Sequence, residues 1–128
     1  MRTALCLFAL VACCFGQDKK AQPKFQGENY VVCLLTKGEK WTPAETPETR
    51  KIQEGHMANI RSMAATGKLI VAGPFADDSA LRGMFIFRTT LEDARAMTSV
   101  DPAVKAGRLV PECHPWFAGK GLNVPEPH

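Results

Sequence analysis

The sequence predicts an α+β domain of ferredoxin-like βαββαβ order with a sheet that is covered on both faces. Helical and strand patterns alternate along the chain in that order, separated by helix start and stop signals. The segments 31–35, 69–72 and 84–87 are apolar at consecutive rather than alternate positions, as in strands buried on both sides. Two helices can cover only one face, so the other must meet a second body. A second copy of the same sheet, in an isologous homodimer, is the economical choice.

Residues 1–16 stand apart in composition, with one basic residue, Arg2, an apolar run over 4–11, then small residues and cysteines. The run is too short to span a bilayer and reads as the apolar region of a secretory signal peptide. Cleavage after Gly16 would leave Gln17 first. Alternatively, Leu10-Val11-Ala12-Cys13 has the form of a bacterial lipobox, in which Cys13 carries the lipid and becomes the N-terminus. Either way the protein is expected to be exported, into the periplasm or onto a membrane that it meets only through that lipid. Residues 17–28 are polar and aperiodic and read as a linker, 29–118 as the domain, and 119–128 as a flexible tail.

The first strand is placed at 29–36 by its β-branched and aromatic content. Thr42-Pro43 and Thr46-Pro47 both have the form of an N-cap followed by proline; the first is read as a turn and the second as the helix start. That helix runs to Thr66, tolerates Gly55 at some cost, and stops at Gly67. Strands follow at 68–75 and 82–89, joined by a loop short enough to make them antiparallel. Thr90 caps a second helix over 91–99, and Asp101-Pro102 opens a short turn that ends at Gly107. The last strand, 108–117, contains Pro111 and Pro115 and therefore belongs at a sheet edge, where missing donors are tolerated.

The chain has 128 residues and is 45% hydrophobic, enough for one small core. Its net charge of +3 falls by one if Arg2 leaves with the leader, and no Lys/Arg cluster marks one face, which argues against nucleic acid as a partner. Cys6, Cys13 and Cys14 fall in the leader, so the domain keeps only Cys33 and Cys113. With no C-x-x-C and scattered histidines, no metal site is expected. The two cysteines lie on strands that are neighbours in a 4-1-3-2 sheet. They either pair across it, given a shared face and Cα atoms about 4.4–6.8 Å apart, or remain small buried apolar residues.

His56 is the oddity of the first helix. Ile52, His56, Ile60 and Met63 share one stripe, so a titratable ring points inward with the apolar residues. Two readings follow: a core histidine satisfied by a hydrogen bond, or an acid–base residue in a pocket.

His56, the strand end Ala72-Gly73-Pro74-Phe75, the acids Asp77-Asp78, the strand over 82–87, the Asp101-Pro102 turn and the terminal His114-Pro115-Trp116 together resemble the YciI-like, YCII-related domain family. The resemblance covers residues 30–117. It implies a dimeric α/β barrel, two ferredoxin-like monomers joined sheet to sheet, and it pairs His56 with Asp101 as the catalytic residues. It further implies cofactor-independent chemistry of lyase or isomerase type on a small molecule, dehydrochlorinase-like elimination from a phenolic ring being one case. Phe75, Asp78, Arg82 and Arg108 are the candidate substrate contacts, the arginines suiting an anion. Asp101 taken alone is a helix N-cap, but a carboxylate can bind backbone with one oxygen and a ring with the other. Trp116 and Phe117 are expected at a dimer seam or closing the pocket. The alternative to an enzyme is a non-catalytic module that binds a small molecule in the same pocket.

Overall fold

The computed structural model describes residues 25–120 and Leu122. The expected signal segment with Cys13, most of the expected linker and most of the expected tail lie outside the described residues. The chain forms β1 (Gly27–Lys37), α1 (Pro47–Ala65), β2 (Leu69–Pro74), β3 (Leu81–Phe87), α2 (Leu91–Ser99), α3 (Pro102–Lys105) and β4 (Leu109–Gly119). The turn predicted after Asp101 is thus the short helix α3. The four strands hydrogen-bond in the order β2-β3-β1-β4, all antiparallel, which is the ferredoxin-like arrangement.

Local chemistry sets the element ends. Thr46 caps α1: its hydroxyl accepts from the Thr49 N–H at 3.1 Å, and the Thr49 hydroxyl accepts from the Thr46 N–H at 2.8 Å. The capping box is therefore closed by a threonine in place of the usual Glu or Gln. Thr42 makes only a local turn, accepting from the Ala44 N–H at 3.1 Å. Gly67 and Gly107 end their helices with φ of 74° and 71°, in the left-handed region where a side chain is disfavoured. Pro111 and Pro115 fall on β4, an outer strand, so their missing N–H groups leave no central ladder broken.

Val31, Cys33 and Leu35 of β1 and Phe85 and Phe87 of β3 face the helices and form the core with Met63 of α1 and Ala94 of α2. The alternate residues Val32 and Leu34 lie on the other face, directly opposite Ile86 and Met84. This fixes a phase that an unbroken apolar run cannot specify: Met84 and Ile86 are the helix-distal pair. Cys33 and Cys113 are directly opposed across β1 and β4 and form a disulfide, with Cα atoms 4.0 Å apart, closer than the expected range. The bond ties the outer strand to a central one on the helix side of the sheet, next to the buried Thr98 of α2.

Candidate active site

The helix stripe carrying His56 does not simply enter the core. Met63, near its C-terminal end, is buried among the apolar residues, but Gln53, His56, Met57 and Ile60, at positions i, i+3, i+4 and i+7, line a cavity of about 280 Å³. Trp41, Arg82, Gly73 and Phe85 close its other sides. The His56 ring stacks on Phe85, with centroids 6.2 Å apart and planes 25° from parallel. A second, more open groove of about 450 Å³ runs between α2 and β4, past Arg95, Glu112 and His114, and holds no buried ionisable group.

Asp101 reaches His56 because α3 packs closely on α1. The approach is made at Gly55, where a Cβ would lie 2.9 Å from Pro102 Cγ. The mid-helix glycine that costs α1 stability thus admits the proline beside Asp101. His56 Nδ1 lies 2.9 Å from both Asp101 carboxylate oxygens, across 45 positions of sequence. Asp101 also accepts from the Asn59 amide at 2.9 Å and, as N-cap of α3, from the Ala103 N–H at 2.8 Å. It is fully buried, and His56 is 9% exposed. Capping and ring-holding are therefore performed by the same carboxylate.

Burial by itself pushes the Asp101 carboxyl up. Hydrogen bonds from His56 and Asn59, the His56 charge and the Ala103 N–H together outweigh that and hold it below the usual carboxylate range. Ionised at neutral pH, Asp101 can only accept, so His56 Nδ1 must carry a hydrogen. In the neutral ring this leaves the lone pair on Nε2, which has no hydrogen-bond partner among the described residues. A neutral imidazole with a fixed tautomer and a free basic nitrogen at a cavity can take a proton from a bound molecule and return it.

The other predicted site residues divide. Arg82 lines the cavity, with its guanidinium 4.9 Å from the Trp41 ring centre. Phe75, Asp78 and Arg108 do not line it. Phe75 lies just past the end of β2, paired through its N–H with the Arg82 carbonyl. Asp78 is on the exposed loop, where its backbone carbonyl accepts from Lys37. Arg108 stacks on Trp41 from 5.1 Å and donates to the Thr42 carbonyl. Trp116 and Phe117 are exposed on β4, packed against Tyr30 and Phe25, and neither lines the cavity. His114 is exposed and pairs with Glu112.

Two contributors escaped the sequence. Asn59 sits three residues after His56, on neighbouring turns of one helix face, and that spacing was the available signal. Trp41 lies in an irregular loop with no periodicity to place it. Backbone bonds from Gly38 to Arg108 and from Lys40 to Gly107 hold that loop against the start of β4. Among the described residues no group of three or more His, Cys, Asp or Glu side chains is arranged as metal ligands would be.

No protein-family profile matches the chain, and no curated protein sequence matches it. Among solved structures it is similar to 5-chloro-2-hydroxyhydroquinone dehydrochlorinase from Burkholderia phenoliruptrix AC1100 in complex with 2,5-dihydroxybenzoquinone. The two share 21% identity with a TM-score of 0.50, over 70% of this chain and 96% of the other. At that identity the likeness is one of fold.

Proposed function

We propose that this is an exported, homodimeric protein of the YciI-like kind that works as a cofactor-independent acid–base enzyme of lyase or isomerase type on a small molecule. The observation that carries the reading is the His56–Asp101 contact at the cavity wall, with Nδ1 held by a buried carboxylate and Nε2 without a partner among the described residues. Nε2 takes a proton from an acidic O–H or C–H of the ligand. The electron pair released builds a new double bond, and either a leaving group such as chloride departs or the proton returns at another carbon. His56, charged at that moment, is stabilised by Asp101. Such a base contributes typically 10²- to 10⁴-fold in rate. The fold-sharing dehydrochlorinase supports this choice of reaction class.

Export is supported by the leader and by the Cys33–Cys113 bond, since disulfides persist in oxidising compartments. The dimer is supported by the helix-distal face, where half-buried Val32, Leu34 and Met84 beside Ile86 form an apolar face that no helix among the described residues covers.

A second reading, a binding module without turnover, is favoured by one feature: Asp101 also caps α3, a structural duty that would keep it in place without catalysis. Incubation in D₂O with enolisable and chlorinated hydroquinones, followed by NMR and chloride assay, separates the two. The enzyme reading expects deuterium incorporation or chloride release with the wild type and none with His56→Gln. Binding without either reaction across the panel would leave the module.

A further inference from the structure

We propose that Arg82, at the cavity wall beside Trp41, is the anion-receiving rim of the same cavity, with Lys37 and Arg108 adding positive charge from around the same indole, and that its ligands are small planar molecules bearing a carboxylate. The proposal deepens the acid–base reading and rests on it for the reacting end of the ligand.

The cations lie 6.0, 4.9 and 5.1 Å from the centre of one indole ring. None has a carboxylate within ion-pair distance among the described residues, where the ion pairs are His56–Asp101, Lys68–Asp93, Arg88–Glu28 and His114–Glu112. Each donates instead to a backbone carbonyl: Lys37 to Asp78, Arg82 to Asp77 and Arg108 to Thr42. The nearby Asp77 carboxylate is turned to the Ser79 hydroxyl and N–H. The three cations share one indole that lines the cavity, so positive charge gathers beside it and favours an anion bound at Arg82.

Arg82 supplies a second, independent observation. Its Nε–H is buried without a hydrogen-bond partner among the described residues, on a side chain that lines the cavity. A buried donor left unmet is costly, and a guanidinium presents Nε–H and an Nη–H side by side in the fork that fits a carboxylate. Trp41 and Phe85 give the cavity flat aromatic walls, which suit a planar body. At about 280 Å³ the cavity lies at the lower end of small-molecule sites, the size for a single ring with short substituents. The ligand would then span from a carboxylate at Arg82 to an acidic proton at His56 Nε2.

The test compares benzoate with its neutral isostere benzamide in the wild type, by NMR titration of the Trp41 indole N–H, with the Trp116 indole as internal control. Benzoate is expected to shift Trp41 and leave Trp116 in place, with an affinity at least about tenfold above that of benzamide, as for a charge-assisted hydrogen bond gained. Arg82→Gln is expected to remove that preference, and His56→Gln to keep it. Equal affinities for the two ligands, or no Trp41 shift with benzoate at millimolar concentration, would overturn the rim. That comparison needs no variant, so a folding defect in Arg82→Gln cannot obscure it. The two readings fail separately. An anion preference without proton exchange on any carboxylate-bearing ligand leaves the rim and ends the acid–base reading; exchange on neutral ligands without an anion preference does the reverse.

Discussion

Pro102 occupies the space that a side chain on Gly55 would fill: a Cβ there would lie 2.9 Å from Pro102 Cγ and 3.1 Å from its Cβ. The contact joins the helix of His56 to the cap that holds Asp101, so a residue without a side chain is part of how the site is assembled.

Gly55→Ala is therefore expected to act against its helix propensity. In an open helix interior the change stabilises by about 1 kcal/mol. Here it overpacks the junction, and a net loss of roughly 1 kcal/mol is expected in urea unfolding, with reduced affinity for cavity ligands. A gain of stability would mean that α3 shifts away freely.

Asp101→Ala removes a buried acceptor of three hydrogen bonds and a helix cap together, with an expected cost of about 3 kcal/mol. The conservative Asp101→Asn keeps one oxygen, which the Ala103 N–H, His56 and Asn59 must share, and puts in place of the other an NH2 that can only donate. Nitrogen NMR of His56 should report the Nδ1–H tautomer in the wild type and a different tautomer population in Asp101→Asn. An unchanged tautomer in the variant would show that the carboxylate does not select it.

Asn59→Ala is expected to cost about 1–2 kcal/mol and to raise the Asp101 carboxyl towards its ordinary value, because one of the donors holding it down is gone. Carboxyl carbon NMR titration of Asp101 in the two proteins measures this directly, and coincident titrations would remove Asn59 from the site.

Acid stability follows from the same carboxylate. Its folded value lies below the unfolded one, so below about pH 4, the ordinary Asp value, the unfolded chain binds more protons at this position. The stability it contributes is fully present above that pH and is lost as pH falls through the lower folded value. Urea midpoints of the wild type should fall more steeply below about pH 4 than those of Asp101→Asn. Parallel slopes would assign acid unfolding to other groups.

The Cys33–Cys113 bond closes a sequence separation of 80 and should contribute about 2–5 kcal/mol. Paired Cys33→Ala and Cys113→Ala changes should lower Tm and expose β4 amides to hydrogen exchange before those of β1, since β4 is the outer strand. Two free thiols in alkylated native protein would contradict the bond.

The sequence determined what depends on neighbours along the chain. The Thr46 cap, the Gly67 and Gly107 stops and the proline-bearing outer strand are short-range chemistry, and with them came the element order and, from it, the sheet order. Helix periodicity also turned His56 inward, and the Asp101-Pro102 cap was legible by itself. Their pairing was implied only by resemblance to a family, because nothing local links residues that stand 45 apart. Tertiary structure decided the rest. An unbroken apolar run has no phase, so only the register of β1 against β3 could assign Phe85 to the site and Met84 to the far face. Loop residues have no period, so only the packing of 38–41 against the start of β4 could bring Trp41 against both Arg82 and Arg108. Tertiary structure likewise decided that Arg82 lines the cavity while Phe75, Asp78 and Arg108 do not.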